Sequence, residues 1–130
     1  MLGLLRYESY KASGIEWIVE IPCHWKITRL KRLAQFKSGA GFPVSEQGKE
    51  GLSLPFYKVK HLGNALNNGL LGDADDSVEL ETANRLGAHI FKKNTIVFAK
   101  VGAALLLSRF RLLPRPACID NNLMGAEIDS

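Results

Sequence analysis

The side chains in this 130-residue chain whose type and spacing best suit chemistry are cationic groups and amides. Lys58 and Lys60 stand two apart in the apolar stretch Leu54 to Leu62, so a strand there would place both on one face. Such a pair can meet a phosphate backbone, a guanine edge, or only solvent. Arg109 and Arg111 alternate with Phe110 and Leu112 in the same way. Their guanidinium groups can fork onto guanine O6 and N7, or pair with the acids crowded at Asp73, Asp75, Asp76, Glu79 and Glu81. Lys100 lies just before Gly102, where a strand is expected to give way to a loop. The amides of Asn121 and Asn122 can bond adenine N6 and N7 together, although Asp120-Asn121-Asn122 also reads as a turn. The glycine-rich segment from Ser38 to Gly51 is long for a mere connection. With Phe42 at its tip and Lys37 and Lys49 at its edges, it suits a reading loop or a docking surface.

Signatures of catalysis do not assemble. Gly39-Ala40-Gly41 looks like the start of a dinucleotide loop, but no apolar strand leads into it and Phe42-Pro43 follows where a helix should begin. Gly48-Lys49 lacks both the upstream glycine and the downstream hydroxyl of a phosphate-binding loop. There is no Gly-x-Ser-x-Gly elbow. Cys23 and His24 are adjacent, so in an extended segment they point to opposite faces and cannot act as nucleophile and base. His61 and His89 stand alone, as sheet and turn residues, and no zinc-ligand spacing is present. The expectation is a non-catalytic chain without a metal site and with two free thiols, Cys23 and Cys118.

Composition agrees with an ordinary globular chain: 46% hydrophobic and 23% charged residues exclude a disordered tail or a coiled coil. Seventeen basic against thirteen acidic side chains give a net charge of +4. Residues 1–60 carry ten basic and five acidic groups, while 61–130 carry seven and eight. A basic surface suits a polyanion. The longest uncharged apolar run, Val101 to Leu107, falls far short of the roughly 20 residues of a membrane span. Arg6 and Glu8 interrupt the N-terminal apolar residues before a signal core could form. These features lead us to expect a single soluble, cytoplasmic domain over residues 1–130, a fragment of something longer.

The elements that must position these groups follow from periodicity and breakers. Met1 to Trp25 reads as an extended, aromatic lead-in, broken at Gly14. Ile27, Leu30, Leu33 and Ala34 recur at helical spacing, with Lys26, Arg29, Lys31 and Arg32 opposite, predicting a short amphipathic helix near 28–35. A strand is expected over Leu54–Leu62, a turn at Asn67-Asn68-Gly69, and a helix capped by Ser77 that runs to about Leu86 and leaves through Gly87. Lys92-Lys93-Asn94 marks a turn before a strand at Thr95–Ala99. Further strands are expected at Ala104–Leu112, Cys118-Ile119 and Met124–Ile128. The sum is an α+β domain, mainly antiparallel or mixed β-sheet with short helices.

Five blocks then resemble a known family. YKASGIEWIVEIPCHW at 10–25, followed by Leu30-Lys31-Arg32-Leu33, is similar to the opening of type I restriction–modification specificity subunits. KSGAGFP at 37–43, LPFYKVKHL at 54–62, NTIVFAKVGAAL at 94–105 and CIDNNLMGAEI at 118–128 resemble successive blocks of that family's target recognition domain, in the same order. The sequence departs at Ile18-Val19, where a glycine often sits.

The resemblance implies most of an N-terminal target recognition domain, without the spacer helix and second recognition domain of a whole subunit. Its partners would be double-stranded DNA, the methyltransferase (modification) subunits and the restriction subunit. S-adenosylmethionine, ATP and magnesium would serve those partner subunits and not this chain. Lys37, Phe42, Lys58, Lys60, Lys100, Arg109, Arg111, Asn121 and Asn122 are the candidate DNA contacts. Tyr10, Trp17 and Trp25 are candidates for packing or subunit docking. Two other classes stay open: a single-strand or RNA-binding module, for which Phe42, Phe56 and Tyr57 would be the stacking residues, and a protein-interaction module whose basic face is incidental.

Overall fold

A computed structural model describes residues 6–128 of the chain. Two compact units resolve, divided between Arg32 and Leu33.

The first unit is built on an antiparallel hairpin of β1 (Tyr10–Ile15) and β2 (Ile18–Pro22), with Glu16 and Trp17 at the tip. Gly14 sits at φ +79°, and the register shifts between Ala12 and Ile15, so the glycine accommodates a bulge and does not end the strand. The predicted helix near 28–35 is absent. Leu30–Arg32 form one 3₁₀ turn with no buried residue, and Ala34 already belongs to the next strand. A few apolar residues three apart fit a strand as well when the window is this short.

The second unit contains β3 (Ala34–Ser38), β4 (Leu54–Tyr57), β5 (Ser77–Val78), α1 (Leu80–Arg85), β6 (Ile96–Ala99), β7 (Arg111–Leu112), β8 (Cys118–Ile119) and β9 (Leu123–Ile128). A four-stranded antiparallel sheet runs β3-β9-β6-β7, and a three-stranded mixed sheet runs β5-β4-β8, with β4 and β8 parallel. The α+β, mixed-sheet class expected from sequence holds.

All four residues of β4 are buried. The pleat sends Leu54 and Phe56 into one apolar cluster, with Phe42, Val78, Ala83 and Cys118. Tyr57 goes into another, with Leu62, Leu71, Phe91, Val97, Leu113, Ile119 and Leu123. Burial on both faces explains why this strand reads as a continuous apolar run. Within that packing Cys118 has its thiol pKa pushed up to about 11 by burial, and both cysteines are free.

Three other expectations are corrected. The strand from Leu54 stops at Tyr57, and Val59–Asn64 coil into a 3₁₀ helix. There the ring of His61 accepts the Lys58 N–H at Nδ1, 2.7 Å away, taking a donor that a continuing ladder would need. Ser77 does not cap the helix. It lies in β5, while Leu80 N–H donates to Ser53 Oγ at 2.9 Å from 27 residues upstream. Ala103–Leu107 form a 3₁₀ turn, leaving only Arg111–Leu112 as strand. The Asn67-Asn68-Gly69 turn and the Asn94 turn are present, with Gly69 at φ +82° and Asn94 at φ +69°.

Candidate nucleic-acid interface

One end of the four-stranded sheet gathers several of the predicted residues. Ser38 ends β3, Ala99 ends β6, and Leu123, which pairs with Ala99, begins β9. The connecting turn 120–122 is clasped between these ends. Gly39 N–H donates to Leu123 O at 3.0 Å, Ala40 N–H to Ile119 O at 2.9 Å, and Lys100 N–H to Asn122 O at 3.2 Å. A Cβ on Gly39 would stand 2.1 Å from the Asp120 carbonyl oxygen, so only glycine fits there. The glycine pair is therefore a close backbone approach and not a dinucleotide cradle.

The turn at 120–122 presents Asn121 and Asn122 to solvent. Asn121 N–H donates to Asp120 Oδ1 at 2.8 Å, and its amide lies 3.4 Å from where a Cβ of Gly41 would be. Lys100 reaches across the sheet end to donate to Ser38 Oγ. Lys100, Ser38, Asn121 and Asn122 thus converge. Lys37 is adjacent to Ser38 in the strand and so projects from the opposite face, where its charge helps hold the Glu127 carboxyl below its usual range. Burial acts on Glu127 in the raising direction, but hydrogen bonds from His89 and from Lys92 N–H, together with the charges of His89 and, least, Lys37, outweigh it.

The other candidates have different surroundings. Lys58 Nζ lies 3.0 Å from the buried carboxylate of Asp76 and 2.7 Å from Gln47 Oε1. Lys60 pairs with Asp75 at 3.0 Å, and His61 Nε2 donates to the other oxygen of the same carboxylate at 2.6 Å. Hydrogen bonds from His61 and then Lys60 hold Asp75 down to about 2. The acids at 73–81 thus engage these two lysines, and neither lysine shares a strand face with the other. Arg111 donates from Nε to Leu62 O at 2.8 Å, which ties β7 to the 3₁₀ helix. Arg109 lies instead beside Gly63 and lines a cleft of ≈ 300 Å³ with Val59, Lys60, Leu62, Ala104 and Leu107. The expected two-arginine strand face is therefore not formed.

Phe42 is not a loop tip. It is 5% exposed and packs edge-on against Phe56 with ring centroids 4.7 Å apart. Phe56 and Tyr57 are buried as well, so none of the three expected stacking residues can meet a base. In the first unit, Tyr10 and Trp25 each pack against Tyr7, at 6.4 and 5.8 Å, while Trp17 stands apart at the hairpin tip, 81% exposed.

Sequence reasoning missed a charge pattern and an aromatic row. From Thr82 to Ile119 there is no acidic residue and there are seven basic ones, a segregation that counting by halves concealed. Among the described residues, neither Lys100 nor Arg109 has a carboxylate within 4.0 Å. Phe36, Phe98 and Phe110 form a row on the sheet with centroid spacings of 6.4 and 5.4 Å. Among the described residues no group of three or more metal-ligating side chains forms, and no helix is long and apolar enough to cross a membrane.

No protein-family model matches the chain. It is 29% identical over 111 residues to the type I restriction enzyme MjaIX specificity subunit of Methanocaldococcus jannaschii, a match covering 85% of this chain and 24% of that protein. In fold it is similar to the HsdS subunit from Thermoanaerobacter tengcongensis, with a TM-score of 0.63 at 15% identity. It is also similar, with a TM-score of 0.66 at 14% identity, to a chain from a structural study of type I R-M complex assembly and conformational transition. Each of these fold matches covers 93% of this chain and 27% of the other. The chain therefore spans about a quarter of the length of the proteins it matches. In sequence and in fold it is similar to part of a type I restriction specificity subunit, as its five ordered blocks implied.

Proposed function

We propose that this chain is a non-catalytic target recognition region that binds double-stranded DNA and directs methylation and restriction by partner subunits of a type I system. The observation that carries the reading is the likeness to specificity subunits, which runs through nearly the whole chain and not through one motif. The convergence of Lys100, Asn121 and Asn122 at the sheet end, together with Arg109 on the β6–β7 connection, supplies the chemistry. Cations of this kind fix register on phosphates, and amides or guanidinium groups read base edges. Lys58, Lys60, Arg111 and Phe42 act in this reading as the scaffold beneath, and Lys37 contacts phosphate from the other side of β3. S-adenosylmethionine, ATP and magnesium belong to the partner subunits. Tyr10 and Trp25, and separately Trp17 at the hairpin tip, serve as docking residues for those subunits.

A second reading, single-strand binding, draws on the row Phe36, Phe98 and Phe110, because base–aromatic stacking is the hallmark of such modules. Competition separates the two. A labelled mixed-sequence duplex bound by the chain should be displaced by unlabelled duplex and not by equal single strand. Its affinity should fall steeply with salt, as counterion release requires. Displacement by single strand alone would transfer the function to the aromatic row.

A further inference from the structure

We propose that the turn Leu105-Leu106-Leu107 is an apolar wedge that enters the duplex between base pairs, flanked by Lys100 and Arg109 on the phosphates. The inference rests on the duplex-binding reading above and adds to it a mechanical act on the DNA.

Three consecutive leucines are 51%, 84% and 55% exposed. In a 3₁₀ turn, with three residues per turn, successive side chains splay in three directions, so they cannot all fold back onto the core. Leu106, at 84% the most exposed, is the leading edge, and Leu105 and Leu107 are its shoulders. The turn is held in shape instead. Gly102 at φ +72° and Ser108 at φ +50° bracket it in positive-φ conformations, and Ser108 N–H donates to Leu105 O at 3.4 Å. Below it Ala104 packs on the larger core cluster, and Leu107 lines the cleft that also holds Arg109. The leucines thus project from an anchored base.

Charge identifies the occupant. The turn lies within the acid-free stretch 82–119, between two cations that have no carboxylate within 4.0 Å among the described residues. An apolar protein partner has no use for that flanking charge, whereas a duplex offers a phosphate on each side of every base step. Insertion of leucine or phenylalanine between base pairs from the minor groove, with partial unstacking, is an established way to deform DNA. Phe110, 58% exposed just beyond Arg109, adds a second apolar edge beside the turn.

Insertion unwinds DNA, so the test reads linking number. The full chain is bound to relaxed closed-circular plasmid at low salt, topoisomerase I is added, and the plasmid is deproteinised. Binding is read separately by retardation, and variants are compared at equal occupancy. The wild-type chain should leave negatively supercoiled plasmid. The triple variant Leu105→Ser, Leu106→Ser, Leu107→Ser should bind yet leave the plasmid relaxed, and Leu106→Met should unwind as the wild type does. Circular dichroism checks that the variants are folded, which exposed positions should permit. A wild-type chain that binds plasmid and leaves it relaxed overturns the wedge while leaving duplex binding intact. Equal unwinding by the triple variant overturns it too, as does unchanged unwinding coupled to lost assembly with methyltransferase subunits, which would assign the turn to protein contact. If the wild-type chain fails to bind plasmid both alone and together with methyltransferase subunits, the duplex-binding reading itself falls.

Discussion

At the scale of single residues, Lys58 and Lys100, both read from the sequence as candidate DNA contacts, have opposite fates. Lys58 is held by Asp76, whose side chain is 4% exposed, and by Gln47, whereas among the described residues the side-chain hydrogen bond of Lys100 is to a serine hydroxyl. Replacing Lys58 by Gln strands a buried carboxylate, so Lys58→Gln should cost about 1–3 kcal/mol in urea unfolding and leave DNA affinity nearly unchanged. Lys100→Gln should do the reverse, sparing stability and reducing the salt slope of DNA binding by about 1. Asp75 gives a pH signature. Its pKa is lowered from 3.8 to about 2, chiefly by the hydrogen bond from His61 and then by that from Lys60. The ionised carboxylate is therefore favoured in the folded state, and its stabilisation is complete above its unfolded pKa and lost as pH falls through the folded one. Urea unfolding across pH 5 to 1.5 should show this loss in the wild type between about 4 and 2, and a flatter profile in Asp75→Asn.

At the scale of elements, the junction of β3 with the 120–122 turn is the tightest approach near the interface. Gly39→Ala would drive a Cβ against backbone atoms of Ile119 and Asp120 that cannot turn aside. It should lower stability by about 1–3 kcal/mol in thermal unfolding and weaken DNA binding by displacing Asn121. Gly48→Ala, at φ +78° but with open space around it, should cost stability through backbone strain alone and spare the interface. This junction was only half legible in the sequence. β6, β8 and β9 could be read because their β-branched and apolar runs are bounded by turn residues, and both Asn-containing turns announced themselves. The end of β4 could not, because it depends on the His61 ring capturing a backbone N–H. Nor could the cap of α1, which is supplied by Ser53 through tertiary packing, or the coiling of Ala103–Leu107, where an apolar run fits a buried strand as well as an exposed turn. The same limits governed the interface. Alternation placed Lys58 with Lys60 and Arg109 with Arg111 on strands that end too early, while Lys100 at a strand end and the two asparagines in a turn lie where the sequence put them.

At the scale of the molecule, the acid cluster engages Lys58 and Lys60 and Glu46 engages Arg85 at 3.6 Å, whereas Lys100 and Arg109, in the acid-free run from Thr82 to Ile119, have no carboxylate within 4.0 Å among the described residues. Charge that is paired internally contributes little to a partner, and unpaired charge on a sheet end and its neighbouring loop is what a phosphate backbone can use. The likeness to specificity subunits makes sequence reading the central claim, and selection of the full chain against a random duplex pool, at low and near-physiological salt with single-stranded competitor, tests it most directly. The account predicts enrichment of one short duplex motif that survives the competitor, with enrichment lost in the Lys100→Gln and Asn121→Ala variants. A pool that stays random at both salt concentrations, for the chain alone and for the chain mixed with the methyltransferase subunits proposed as its partners, would contradict it.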